Sequence, residues 1–387
     1  MSGNSTSFNG DRLKSARLYN ALTVSDVAEK AGISKQAISQ FETNKSEPKL
    51  ETILTIANIL GFPRDYFYET EEYRTKVGDT YFRSLASTTN KERLAQVERV
   101  KLLVNIVKVI NLYIEFPELQ LCEINMDADI DVEEMAQTLR EAWGLKQQPI
   151  ANIVDEMERH GILVSSVFTN SNNIDAYSQI ELIDGKQIAV VVLGSDKDNA
   201  FRRNFSAAHE LGHLLLDDFY NVDELSKLEY KEMEDTMNRF AGALLVPKEM
   251  FINDLRTSSK TDLNLYIQLK RKYHVSAAAL IVRARHLDLI TQNTYQYLMK
   301  QLSQKGYRTC EPFDKETPLM KPRYIKEAMK MIIEEDGVTG KEFLGELEAM
   351  GVSLYSSMIE EILNLPESYL SQNDKGGEVI ELQRKLC

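Results

Sequence analysis

His209-Glu210-Leu211-Gly212-His213 sets two imidazoles four residues apart, with a carboxylate beside the first. On an α-helix, residues i and i+4 share one face a turn apart. His209 and His213 can then aim ring nitrogens at one tetrahedral Zn²⁺ while Glu210 faces the adjoining space as a general base. The flanks favour a helix, because Phe205-Ser206-Ala207-Ala208 and Leu214-Leu215-Leu216 contain no proline and only Gly212 lowers the propensity.

A catalytic zinc of this kind takes three protein ligands and keeps one position open, so a third ligand is expected on another helix downstream. From Tyr230 onward, Met233, Met237, Phe240, Ala241 and Leu244 recur at helical spacing, which sets Glu234 and Asn238 together on a neighbouring stripe. Glu232 and Asp235 compete for the ligand role, since an acidic helix face is usually solvated; spacing favours Glu234. Asn238, one turn on, is placed to hydrogen-bond a ligand histidine from behind. Upstream, the β-branched run Gln187 to Leu193 and the stretch Gly161 to Phe168 read as strands, with Asp184-Gly185 as a hairpin turn. A small mixed sheet backing the histidine helix is expected.

The phrase Arg203-Asn204-Phe205-Ser206-Ala207-Ala208 before the histidine motif, followed by Glu234, Asn238-Arg239-Phe240-Ala241 and Leu244-Leu245-Val246-Pro247, resembles the ImmA/IrrE family of metallopeptidases. Leu139-Arg140, Trp143-Gly144-Leu145, Glu158, Gly161-Ile162 and Asp175-Ala176-Tyr177-Ser178 extend the likeness, which covers about residues 125 to 295. Met237 stands where relatives carry a small residue, Val246 where they carry methionine, and Asp217 where many carry another histidine. The resemblance implies a zincin-like fold, with His209, His213 and Glu234 as zinc ligands and Glu210 as catalytic base. The oxyanion donor is not identified; Tyr220, Tyr230 and Arg239 are neighbours in sequence with no basis for choosing among them.

A second signal lies at the amino end. Residues 11 to 68 read as five short helices, with Thr23-Val24-Ser25-Asp26 as a capping box, Gly32 in a tight turn and Ser34 as a cap. In the helix after Ser34, Ala37, Ile38 and Phe41 face inward. Lys35, Gln36, Ser39 and Gln40 are left with the chemistry for base edges in a major groove, and Asn44 and Lys45 suit phosphates. This stretch resembles the Cro/C1-type (XRE) helix-turn-helix domain, although Val24 stands where glutamine is frequent and Phe41 where tryptophan is. Residues 10 to 68 hold eight basic and seven acidic side chains, so one copy gains little from counterion release and a homodimer reading two half-sites is expected.

With 387 residues, 43% hydrophobic and 27% charged, the chain can bury two or three cores and is too hydrophobic to be disordered. Its net charge of −13 argues against nonspecific coating of nucleic acid. Three widely spaced cysteines, Cys122, Cys310 and Cys387, fit reduced thiols. The polar opening and the lack of a long apolar run lead to an expected cytoplasmic protein with no signal peptide and no membrane span.

Lys91 to Phe116 reads as one long helix with Leu94, Val97, Lys101, Val104, Val107 and Ile110 near one stripe, a rigid spacer or a dimer seam, with packing against the peptidase-like region preferred. Leu263 to Leu287 reads as a helical hairpin whose basic residues also allow a second DNA contact, the hairpin being preferred. After Pro312, helices are expected over 323–335, 339–350 and 353–363. The fold class is thus mostly α with a small mixed β-sheet (α+β). It comprises a helix-turn-helix domain at 10–68, a charged linker and long helix at 69–124, a peptidase domain at 125–295 and a helical region of unread role at 296–387. The expected function is a DNA-binding regulator that binds a double-stranded operator and uses a Zn²⁺-dependent endopeptidase to cleave a repressor-type protein or itself. The competing expectation is a non-catalytic transcription factor that senses metal or a partner.

Overall fold

The computed structural model describes residues 7–69, 76–77, 90–122, 124, 131–167, 176–183, 186–194, 199–216, 225–256 and 258–372. Phe168, Asp175, the turn at Asp184-Gly185, Asp217, Tyr220 and the stretches 81–84 and 374–377 lie outside the described residues. The chain forms two compact units. One contains the described residues up to 69 with 90–116 and 323–372; the other contains 76–77 with 117–322.

The first unit begins with α1 (Gly10–Tyr19), α2 (Val24–Ala31), α3 (Lys35–Glu42) and α4 (Leu50–Leu60), closed by a 3₁₀ turn at Arg64–Tyr68. The expected capping box is present: Thr23 accepts from the Asp26 amide while Asp26 accepts from the Thr23 amide. Ser34 caps α3, and Gly32 takes a left-handed φ of 68° to end α2. A buried ion pair holds α1 to α3, with Arg17 donating through Nε (2.5 Å) and Nη2 (2.9 Å) to the two oxygens of Glu42. The long helix, α5, spans Asn90–Ile110. Its apolar residues from Ala95 to Ile110 are buried on several faces, except for half-buried Val97, while Leu94 is exposed.

The second unit holds a four-stranded sheet. β1 (Lys76–Val77) is only two residues long; β2 (Leu163–Val167), β3 (Ala176–Ile183) and β4 (Lys186–Gly194) carry the rest in the order β1-β3-β4-β2. β3 and β4 run antiparallel with Ala176 opposite Leu193, and β2 runs parallel to β4 with Leu163 opposite Val190, so the sheet is mixed as expected. Around it lie α6 (Val132–Ala142), α7 (Ile153–Arg159), α8 (Ala200–Leu215), α9 (Lys227–Leu245), α10 (Lys248–Arg256), α11 (Leu263–Tyr273), α12 (Ala277–His286) and α13 (Gln292–Gln304).

α8 crosses β3 and β4 and packs along α9. The start of α8 is tied down by its own sequence. Arg203 donates to the carbonyls of Gly194 (2.7 Å) and Met320 (2.9 Å), and Asn204 accepts from the Ile153 amide and donates to the Ile150 and His274 carbonyls. Arg140, fully buried, donates to the carbonyls of Lys146, Leu244 and Gln148, fixing α6 against the end of α9; burial alone lowers its pKa to about 10. The arginines and asparagine of the family-like motif therefore serve the backbone around the site.

The first unit is completed by α14 (Tyr324–Lys330), which continues into a π-helical stretch at Met331–Glu335, then α15 (Gly340–Ala349), α16 (Ser356–Ile362) and α17 (Tyr369–Gln372). α5 is covered by α1, α14, α15 and α16, which corrects the expectation that it packs on the peptidase-like region. A helix that carries apolar residues on several faces must be covered on several faces, and helices from both ends of the chain do so here. Arg12 Nη2 donates to the Gly351 carbonyl (2.8 Å) and the Ser353 amide donates to Glu69 (2.6 Å). Residues 296–322, read from sequence with the carboxyl-terminal region, cluster with the sheet-bearing unit. Among the described residues, no helix is long and apolar enough to cross a membrane.

Candidate metal centre

α8 carries His209 and His213 on its buried face one turn apart, and α9 brings Glu234 up to them. The two Nε2 atoms lie 3.1 Å apart. Glu234 Oε2 is 3.3 Å from His209 Nε2, and Glu234 Oε1 is 3.4 Å from His213 Nε2. Among the described residues, these three side chains form a cluster whose ligand atoms all lie within 4.8 Å of one another.

Bonds of about 2.0–2.1 Å to a tetrahedral zinc put neighbouring ligand atoms roughly 3.3–3.4 Å apart, close to the separations found here. His209 Nδ1 lies 3.1 Å from Asn238 Oδ1, so in the neutral ring that nitrogen donates and Nε2 keeps its lone pair toward the cluster. The donor set therefore fits a divalent zinc. Glu232 and Asp235, the competing carboxylates on α9, are absent from the cluster.

Glu210 is buried beside the histidines and accepts from Ser178 Oγ on β3 at 2.9 Å. Burial raises its pKa, opposed by the imidazoles of His213 and His209 and by the serine hydroxyl. For Glu234, burial acts upward but is outweighed by the facing imidazoles of His209 and His213, which hold the carboxyl well below the usual range. The two acids thus sit in contrasting environments, one dominated by burial and the other by the facing imidazoles. Ser178 belongs to the family-like strand motif, but its spacing in sequence suggests no role for it; only the strand register brings it to Glu210.

α9 approaches closely because Gly212 of α8 has no side chain where Met237 and Phe240 of α9 pack. Asn199, Arg202, Arg239, His286 and Arg308 line a groove of about 1050 Å³ that reaches His209, Glu210 and Glu234. Of the residues considered as oxyanion donors, Arg239 lines this groove.

Two basic residues of the 263–287 hairpin are committed within the fold, and a third, Lys272, is paired at the surface. Lys270 is fully buried, donating to Glu311 (2.8 Å) and Asp314; Arg283 pairs with Glu133; Lys272 pairs with Asp254 at 2.6 Å. These pairings favour the preferred reading of a hairpin that completes the unit, while Arg271 remains exposed.

In the first unit, Lys35, Gln36, Ser39, Gln40, Asn44 and Lys45 are all exposed. Asn44 takes a left-handed φ of 54° and its Oδ1 accepts from the Gly10 amide at 2.7 Å, so its acceptor serves the start of α1 and its amide group alone remains to donate.

Comparison with known proteins agrees with this division. Residues 157–285 match the peptidase-family model described as the IrrE N-terminal-like domain, and residues 13–67 match the helix-turn-helix model. The SPbeta prophage-derived uncharacterized HTH-type transcriptional regulator YonR of Bacillus subtilis (strain 168) is 35% identical over 57 residues, 15% of this chain and 53% of that protein. The uncharacterized HTH-type transcriptional regulator YqaE of the same organism is 34% identical over 61 residues, 16% of this chain and 53% of that protein. The chain spans about half the length of these curated relatives. One polypeptide thus carries an XRE-type helix-turn-helix domain and, separately, an IrrE N-terminal-like domain of the peptidase kind.

Proposed function

We propose that this protein is a DNA-binding transcriptional regulator whose IrrE-like domain is a zinc-dependent endopeptidase acting on a repressor-type protein or on another copy of itself. The observation that carries this reading is the convergence of His209, His213 and Glu234 beside the buried carboxyl of Glu210. The exposed face of α3 with Lys35, Gln36, Ser39 and Gln40 supports operator reading by a homodimer, with Lys45 and the amide of Asn44 on phosphates.

Zn²⁺ held by His209, His213 and Glu234 would supply Lewis-acid polarisation of a peptide carbonyl and lower the pKa of water towards about 7. Glu210 takes the proton of the attacking water and passes it to the departing amine. Ser178 holds one carboxylate oxygen of Glu210 and so fixes which edge faces the groove. Asn238 fixes the tautomer and ring plane of His209. Fusion to an operator-reading domain raises the concentration of the protease near a repressor bound alongside.

The test is incubation of the full chain, and of its Glu210→Gln variant, with candidate small repressor-type proteins, with and without chelator. A new fragment from the unmodified chain alone, lost with chelator, is expected. Equal cleavage by Glu210→Gln would overturn the mechanism. Absence of cleavage, with zinc altering operator affinity, would mark the domain as a sensor.

A further inference from the structure

The groove beside the histidine pair is walled by α8, α9, α12 and the segment 307–314. Three of these elements each contribute an exposed guanidinium: Arg202 from α8, Arg239 from α9 and Arg308 from the segment. The acids along the same walls are mostly neutralised. Glu311 and Asp314 are buried against Lys270, and Glu311 also accepts from the Ala277 and Ala278 amides at the start of α12. Among the described acids that line the groove, Asp235 is exposed.

A positive wall of this kind stands out on a chain whose net charge is −13. His286, on α12, registers the same field: partial burial lowers its pKa, and the charges of Arg239, Arg283 and Arg285 lower it further against the opposing Asp235. The far end of the groove differs, because Glu210 and Glu234 occupy it and their two charges would balance a bound Zn²⁺. A ligand fitting both ends carries negative charge over the arginines and none over the carboxylates.

We propose that this groove binds an acidic segment of polypeptide, with aspartate or glutamate side chains over Arg202, Arg239 and Arg308 and an uncharged stretch over Glu210. A polypeptide can segregate its charge in this way and present a neutral peptide bond at that end, whereas a nucleic-acid strand repeats a phosphate at every step. The volume of about 1050 Å³ lies at the upper end for a small-ligand pocket, as an extended peptide requires. This assignment rests on the peptidase reading for the direction of the groove but is tested by binding.

The test uses the full chain carrying Glu210→Gln, loaded with zinc, and a short fluorescein-labelled peptide with glutamates on one side of an apolar stretch. Its glutamine counterpart and a single-stranded oligonucleotide serve as rival probes. Fluorescence anisotropy is expected to show the glutamate peptide binding about tenfold more tightly than the glutamine peptide at low salt. That preference is expected to vanish in Arg239→Gln/Arg308→Gln and to return in Arg239→Lys/Arg308→Lys, with zinc content unchanged. Equal binding of the two peptides overturns the proposal. So does an oligonucleotide that binds more tightly and is lost with the same glutamine variants. If the unmodified chain cuts no protein while the glutamate preference holds, the peptidase reading falls and the groove assignment stands. If it cuts a protein and shows no such preference, the groove assignment falls and the peptidase reading stands.

Discussion

Gly212 and Phe240 are in direct opposition: a Cβ on Gly212 would stand 2.8 Å from Phe240 Cδ1, and 2.9 Å from Met237 Sδ. The glycine therefore sets how near α9 comes to α8, and with it the approach of Glu234 to the histidines. Gly212→Ala gains about 1 kcal/mol in helix propensity but incurs overpacking of about 1–3 kcal/mol. A lower thermal midpoint and weaker zinc binding are expected together, measured by calorimetry and chelator competition. A variant as stable as the parent, with full zinc affinity, would show that the helices adjust freely.

Asn238 meets His209 through the 3.1 Å contact to Nδ1. Asn238→Ala is expected to weaken zinc binding by about tenfold to a hundredfold, while Asn238→Asp, which keeps an acceptor, retains most of it. Chelator competition on the two variants separates the outcomes, and equal losses would remove the tautomer-fixing role.

Ser178 bonds Glu210 and lies outside the His209–His213–Glu234 cluster. Ser178→Ala is therefore expected to leave zinc content intact and to lower kcat for a cleaved protein severalfold, with KM little changed. Unaltered kcat would mean that packing alone holds Glu210 in place.

Asp26 offers a pH test in the helix-turn-helix domain. Hydrogen bonds from the Thr23 amide and hydroxyl, with a smaller effect from Lys91, bring its pKa down to about 2. A depressed folded value means that the carboxylate stabilises α2 fully above the unfolded value near 3.9, and that this contribution is lost as pH falls toward about 2. A carbon NMR titration of the Asp26 carboxyl is expected to give a midpoint near 2, moving upward in Thr23→Ala. An ordinary midpoint in the unmodified chain would dismiss the capping box as a solution feature.

What was legible in the sequence was what depends on local period. The i, i+4 histidines, the stripe that carries Glu234 and Asn238, and the apolar run of β4 follow from helix and strand geometry alone. The partners of α5 were not legible, because its apolar residues on several faces are compatible with many neighbours. The long-range contacts of Arg12 and Glu69 with Gly351 and Ser353, and the helices packed on α5, join the two segments in one unit. Two-residue β1 gave no periodic signal, and the Ser178–Glu210 bond depends on strand register. The basic residues of α11 and α12 have the composition of a nucleic-acid face, and only the fold sets Glu311, Asp314 and Glu133 opposite them.

The central claim is that His209, His213 and Glu234 hold one zinc. The most direct measurement is metal content by mass spectrometry of the full chain and of Glu234→Ala, after equal dialysis against a weak chelator. One zinc per chain is expected for the first and little for the second. A chain that retains no zinc, or a Glu234→Ala variant that retains as much, would contradict the account.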